Sequence, residues 1–156
     1  MLSQLPRPAV WLGFAGLLPF VATALAAWHP EPLVIVYAIN LQLFYGACIL
    51  SFLGAVHWGL ALAGAGSQGD PRAAMTFNRL GWSVVPALLA WATLAMDPLV
   101  GLVGQIVGFA GMFFGDLAAV RRGYAPGWYL ALRRPLTVIV ILSLGSSLMR
   151  AILGTG

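Results

Sequence analysis

Four polar side chains in otherwise apolar stretches of the sequence could carry chemistry: His57, Asn78, Arg79 and Asp116. Ionisable groups are expensive in hydrocarbon, so within a membrane they normally face the protein interior and have partners. An imidazole can take up and release a proton near neutral pH, and Asp116 can form a buried ion pair with Arg79. These residues therefore define a candidate polar site for binding a ligand or handling a proton.

The same residues also have a purely structural interpretation. Asp116 can pair with Arg79 or Arg121 at a helix end, and His57 can bond a backbone carbonyl or pack against Trp58. The chain contains no phosphate-binding glycine loop, nucleophile elbow, HExxH or CxxC motif, and each of those would mark a known chemistry. We therefore expect no catalytic residue, no metal, no cofactor and a non-enzymatic protein.

The composition places the chain in lipid. Of its 156 residues, 61% are hydrophobic and 8% are charged, whereas soluble domains carry about 25% charged residues. All eight basic residues are arginine. They fall at the ends of apolar segments, where positive charge indicates how a protein is oriented in the membrane. We therefore expect the lipid bilayer as the environment and no nucleic-acid partner.

Apolar runs long enough to cross a bilayer, which takes about 20 residues, predict an all-α integral membrane bundle of about five transmembrane helices. The chain forms a single domain, 1–156, and the predicted spans are 8–28, 33–63, 77–96, 99–120 and 135–153. The second span, roughly 45 Å long at 1.5 Å per residue, predicts a tilted helix. Pro19 and Pro86 predict kinks, and residues 121–134 predict the longest loop.

The arginines also predict an orientation, because positive residues accumulate on the cytoplasmic side. With a cytoplasmic amino terminus and a periplasmic carboxyl terminus, only Arg150 lies on the outer side. The other seven lie on the inner side: Arg7, Arg72, Arg79, Arg121, Arg122, Arg133 and Arg134. Arginine without lysine, together with abundant alanine and glycine, indicates a GC-rich bacterium and its cytoplasmic (inner) membrane. The same topology brings the candidate site residues to one depth in the inner leaflet.

The fourth span carries glycines at spacings of three and four, which form one narrow stripe on a helix. They are Gly101, Gly104, Gly108, Gly111 and Gly115. Small residues allow membrane helices to approach closely, so the stripe predicts helix packing within the bundle. The alternative is that it lines a narrow pore or mediates contact with a second copy or another membrane protein.

Several stretches are similar to a known family. They include Leu17-Leu18-Pro19-Phe20, the segment SFLGAVHWG at 51–59, and Ser83-Val84-Val85-Pro86-Ala87. Together they resemble the transmembrane protein 69-like family of small multi-pass membrane proteins, a domain of unknown function, over most of the chain. The resemblance implies a multi-pass membrane location and supplies no activity. It makes five residues motif positions: His57, Arg79, Asp116, Tyr129 and Arg133.

These observations leave three functions open. The first is a non-enzymatic structural, assembly or interaction role, favoured by the glycine packing. The second is a small transporter or proton-coupled channel with its polar site at His57, Arg79 and Asp116. The third is an intramembrane lipid or quinone binder, which requires the site to open sideways to lipid. The second function leads if these residues line a water-accessible cavity.

Overall fold

A computed structural model describes residues 6–66 and 75–154, with the side chains of 65 and 66 excluded. These residues form six helices and no strand. The helices are α1 (Arg7–Ala15), α2 (Leu18–Ala26), α3 (Pro32–Gly66), α4 (Phe77–Leu94), α5 (Pro98–Arg121) and α6 (Gly127–Gly154). The predicted all-helical membrane bundle is confirmed. Most of the segment between the predicted spans 33–63 and 77–96 lies outside the described residues.

The outside of the bundle is apolar, as a protein dissolved in lipid requires. Trp11, Phe77 and Trp91 are 76%, 89% and 72% exposed, far more apolar surface than a water-soluble monomer presents. Within the described part of the chain, four helical stretches are long and apolar enough to cross a membrane: Arg7–Ala26, Pro32–Gly64, Pro98–Arg121 and Gly127–Gly154. Helix α4 is not among them, because polar residues in its 18-residue sequence lower its hydropathy.

The first span is broken between α1 and α2. Pro19 has no N–H to donate, and its ring crowds the carbonyl one turn earlier, which favours the break at Gly16 and Leu17. Side chains of α3 bind carbonyls near the break. The Tyr45 hydroxyl donates to the Gly16 carbonyl at 2.9 Å, and Gln42 Nε2 donates to the Phe20 carbonyl at 3.1 Å. The kink predicted at Pro19 is therefore a break that α3 stabilises.

Helix α3 is continuous over 35 residues, or roughly 52 Å at 1.5 Å per residue. It contacts α2, α4 and α5 and forms the spine of the bundle. Pro86 lies inside α4 without ending it. Its ring packs opposite Gly54 of α3, where a side chain would collide with the Ser83 carbonyl. Helices α4 and α5 form a tight hairpin, in which the Asp97 carboxylate accepts from Leu99 N at 2.9 Å.

The last helix differs from the prediction. The predicted span was 135–153, but α6 begins at Gly127, and Pro135 lies inside it. The predicted loop 121–134 is therefore wrong, and residues 122–126 alone connect α5 to α6. Arg133 and Pro135 resemble a helix boundary in sequence, but Arg133 is buried against α5. That contact holds the first two turns of α6 on the bundle.

Four of the five stripe glycines lie at close helix contacts. A methyl group on Gly101, Gly104 or Gly108 would lie 2.8, 2.7 and 2.9 Å from atoms of α4. One on Gly115 would lie 2.8 Å from Trp82 Nε1. These distances are too short for a real Cβ, so the glycines allow α5 to approach α4 closely. Gly111 differs, since nothing lies within 4 Å of its position.

Candidate functional site

Asp116 is the centre of a buried charge network in which three helices meet. Its side chain on α5 is completely buried. Arg133 on α6 donates from Nε to Oδ2 at 2.7 Å, and His57 Nε2 on α3 lies 2.9 Å from Oδ1. Both carboxylate oxygens therefore have a partner. Removing one partner of such a buried ion pair strongly destabilises a fold, because the other charge stays buried.

His57 connects this buried carboxylate to an open cavity. The imidazole is 10% exposed and forms part of the cavity wall. An ionised carboxylate can only accept hydrogen bonds, so Nε2 carries the hydrogen that faces Asp116. In the neutral imidazole, Nδ1 is then the nitrogen without a hydrogen. A carboxylate that orients an imidazole in this way is the arrangement by which enzymes position a proton-transferring histidine.

Tyr129 and Arg133 lie one turn apart on α6 and complete the buried network. Arg133 is 7% exposed, and its Nη2 has no hydrogen-bond partner among the described residues. The Tyr129 hydroxyl is also buried, and it interacts electrostatically with Asp116 and Arg133 without a well-formed hydrogen bond. The network therefore retains unused donors around a single carboxylate.

A cavity of about 460 Å³ lies between α3, α4 and α5. Its size falls within the range of about 300–1,000 Å³ typical of small-molecule sites. The polar part of its wall is formed by His57, Asn78, Arg79, Arg122 and Tyr124. Three of the four candidate residues thus line one cavity, while Asp116 lies behind His57. The described lining contains arginine but no carboxylate.

Arg79 does not form the ion pair considered for it. His57 and Arg133 occupy the two oxygens of Asp116, while the Arg79 guanidinium stacks on Tyr124 with its carbon 3.9 Å from the ring centre. Cation–π contacts of this kind contribute roughly 0.5–2 kcal/mol. Equal depth in the membrane does not fix the direction in which a side chain points around its helix. Arg79 therefore reaches the cavity but not the carboxylate.

Tyr124 is held in place by the end of α5. The Gly123 and Tyr124 N–H groups donate to the Val120 and Ala119 carbonyls at 3.0 and 2.9 Å. With Gly123 at φ 74°, this is a Schellman motif, which favours glycine because of the left-handed backbone. From the sequence, Arg122 was only a topology signal, and Tyr124 was only part of the predicted loop at 121–134. Gly123, directly after Arg121-Arg122, was the available signal that α5 ends there.

A second buried polar layer lies nearer the other end of the bundle. Gln105 of α5 is completely buried, and its Nε2 donates to the Leu43 carbonyl at 2.7 Å and to Thr93 Oγ1 at 3.4 Å. Gly46 of α3 faces this amide so closely that a methyl group there would overlap Oε1. The layer contains no titratable group, and it lines neither the cavity at His57 nor a second cavity beside Trp58 and Phe77. It therefore joins helices without offering a site.

The fold and the buried network define a class: small all-helical membrane proteins with an ion-paired carboxylate in the bundle. A family described as a protein of unknown function (DUF3429) matches residues 5–149. The chain belongs to this family. No solved structure matches the chain.

Two relatives show the same resemblance. Transmembrane protein 69 of Xenopus tropicalis is 40% identical over 157 residues, covering 96% of this chain and 57% of the relative. Transmembrane protein 69 of Mus musculus is 30% identical over 140 residues, covering 88% and 54%. The predicted resemblance to the transmembrane protein 69-like family is confirmed. The chain spans little more than half the length of these relatives, and their names support a membrane location.

Proposed function

We propose that the chain is a small proton-coupled transporter or channel whose solute cavity is lined by His57, Asn78 and Arg79. The observation that carries the proposal is the position of His57, between the buried carboxylate of Asp116 and the cavity. An imidazole in that position can exchange a proton with the cavity while it stays attached to the core. No chemical reaction on the solute is part of the proposal.

The charge balance of the network explains how a proton and a solute would be coupled. Asp116 and Arg133 form a neutral pair when both are ionised. The net charge of these two residues and His57 together therefore depends on whether His57 is protonated. Two unit charges 4 Å apart interact by about 4 kcal/mol at an effective dielectric constant of 20. A proton bound to His57 therefore changes the affinity of the cavity for a charged solute. A bound solute changes the affinity of His57 for the proton by the same factor.

Two other functions have specific support and serve as alternatives. The completely buried side chain of Asp116 and the close glycine contacts support a structural or assembly role, including contact with a second copy or another membrane protein. Phe114, which is 66% exposed at the cavity wall, supports a lipid or quinone binder. In neither case does the cavity need a group that exchanges protons.

Proton entry into proteoliposomes separates these functions. The full chain is reconstituted with a pH-sensitive dye inside, a potassium diffusion potential is applied, and the external buffer contains either chloride alone or chloride with inorganic phosphate. The test variant is His57→Gln, because glutamine can still donate to Asp116 but cannot carry the proton. His29→Gln is the matched control, since His29 is exposed and lies outside the cavity.

We expect proton entry above that of empty liposomes for the unmodified chain and for His29→Gln, and entry at the empty-liposome level for His57→Gln. Detergent melting curves of the variants establish that each is folded. Equal rates in the two histidine variants would overturn the proposal, and so would rates that never exceed those of empty liposomes. Either of those results would favour the structural role.

We also propose the bacterial cytoplasmic membrane as the location, with the amino terminus in the cytoplasm. The support is the distribution of seven arginines against one, which follows the positive-inside rule. The frog and mouse relatives support a membrane but not this particular one. A reporter fused after Gly156 should be active in the periplasm, and activity only in the cytoplasm would contradict the five-span topology.

A further inference from the structure

The cavity wall has a strongly one-sided charge. Arg79, Arg122 and His57 line it, and the described lining contains no carboxylate. The buried Asp116 lies behind His57 and already binds Arg133. We propose that this cavity binds a phosphate-bearing anion, with Arg122 and Arg79 as its cationic ligands. This inference rests on the proposed function in that it names the class of solute.

The excess of positive charge does not depend on either arginine lacking a partner. The end of the bundle that holds the cavity carries seven arginines by the predicted topology, and the acidic residues assigned to the same end are Asp70 and Asp116. Even if both carboxylates are fully paired, five positive charges remain at that end. This excess of positive charge attracts mobile anions and anionic lipid headgroups to that end of the bundle.

The donors are also held in position. Stacking on Tyr124 fixes the Arg79 guanidinium at the wall, and the Schellman turn fixes Tyr124 relative to Arg122. Asn78, beside Arg79 on α4, adds a neutral amide to the same wall. A planar guanidinium matches the oxygen pairs of phosphate and forms short, charge-assisted hydrogen bonds with them. Phosphate therefore fits this wall better than a halide ion, which is a single acceptor centre and offers no pair of oxygens to the guanidinium groups.

The rest of the wall is apolar. Leu60, Trp82 and Phe114 line it, and the two aromatic side chains are 43% and 66% exposed. The cavity, about 460 Å³, is several times larger than a phosphate group, so there is space for a further part of the ligand beside these side chains. The ligand chemistry that fits is a phosphate group attached to an apolar or neutral body. An anionic phospholipid and a soluble phosphate ester or free phosphate are two sources of that chemistry.

Binding is measured on the full chain in neutral detergent micelles, by calorimetry and by native mass spectrometry. The probes are inorganic phosphate, a short-chain phosphatidylglycerol, and a short-chain phosphatidylcholine as the lipid without net charge. The test variant is Arg122→Gln. Arg121→Gln is the matched control, because Arg121 is the adjacent arginine, is exposed like Arg122, carries the same charge and does not line the cavity.

We expect saturable binding of at least one phosphate probe, weakened at least tenfold by Arg122→Gln and less than about twofold by Arg121→Gln. A tenfold loss corresponds to about 1.4 kcal/mol, the low end of the range for a hydrogen bond to a charged group. Binding of inorganic phosphate assigns the soluble source, and binding of phosphatidylglycerol alone assigns the lipid source. Equal weakening by the two variants would reduce the effect to general surface charge and overturn the proposal.

The two proposals fail separately. If no phosphate probe binds while proton entry still depends on His57, the anion site is wrong and the proton-coupled function stands. If a phosphate probe binds through Arg122 while His57→Gln leaves proton entry unchanged, the anion site stands and the proton coupling is wrong. Phosphatidylcholine bound as tightly as phosphatidylglycerol, with inorganic phosphate unbound, would show that the apolar wall alone selects the ligand and would overturn the anion site.

Discussion

The bundle contains two buried polar layers that differ in charge and in access to solvent. One joins α3, α5 and α6 through His57, Asp116 and Arg133, and its imidazole reaches a cavity. The other joins α3, α4 and α5 through Gln105 and Thr93, which are neutral and completely or almost completely buried. Along α5 the layers are about 16 Å apart at 1.5 Å per residue.

The difference indicates which layer can have a function beyond holding helices together. Both layers give buried polar groups hydrogen-bond partners between helices, which lipid cannot do, although Gln105 Oε1 and Arg133 Nη2 have no partner among the described residues. The amide layer does this without a titratable group, so its state is the same at any physiological pH. The ion-paired layer is costlier to bury, and a neutral layer of equal geometry would hold the helices at least as well. An expensive layer at a cavity is better explained by a site than by packing alone.

The largest effect should come from removing the charge at the centre of the ion-paired layer. Asp116→Asn leaves Arg133 buried without a counter-ion, and breaking a buried pair in this way costs roughly 3–5 kcal/mol. The double variant Asp116→Leu/Arg133→Met removes both charges and should recover most of that loss, because a hydrophobic replacement of similar volume is often neutral. Unfolding by sodium dodecyl sulfate in mixed micelles measures both free energies.

The control for this prediction lies in the other layer. Gln105→Ala removes a neutral buried amide and should cost about 1–3 kcal/mol, less than Asp116→Asn. If the two single variants are equally destabilised, or if the double variant is no better than Asp116→Asn, the ion-paired layer is not distinguished by its charge. The contrast between the layers would then be one of position alone.

The sequence predicted the depth of the site along the helix axes better than it predicted which residues pair there. Hydropathy and arginine spacing were enough to place His57 and Asp116 at one depth, and the structure joins them at 2.9 Å. Depth comes from counting residues along an axis, which tolerates errors of a turn. The direction around the helix changes by about 100° per residue, so the same counting could not decide between Arg79 and Arg133 as the partner of Asp116.

The start of α6 shows a different limit. Arg133, Arg134 and Pro135 in succession are typical of a segment boundary when read locally, and 135 was predicted as the start of the span. The helix begins instead at Gly127, because Arg133 pairs with Asp116 inside the bundle and holds this part of α6 against α5. A contact between residues 17 positions apart is invisible to a local pattern. The hairpin of α4 and α5 was predictable because Asp97-Pro98 is a turn signal that needs no tertiary contact.

A smaller effect is expected from crowding the amide layer. A methyl group on Gly46 would overlap Gln105 Oε1, whose amide is held by its bond to the Leu43 carbonyl. Gly46→Ala must therefore displace a buried amide, and we expect a loss of about 1–3 kcal/mol. Gly145→Ala in α6 is the matched control, since nothing lies within 4 Å of its position, and it should be neutral or slightly stabilising.

The double variant Gly46→Ala/Gln105→Ala makes this prediction specific. Removing the amide gives the new methyl group space, so the two losses should not add, and the double variant should be more stable than their sum by at least about 1 kcal/mol. Strict additivity would mean that Gly46 and Gln105 do not touch and that the amide layer is looser than described. Because neither residue lines the His57 cavity, the double variant should also retain the phosphate affinity of the unmodified chain. A loss of that affinity would show that the two layers are coupled, and the division between a structural layer and a functional one would fail.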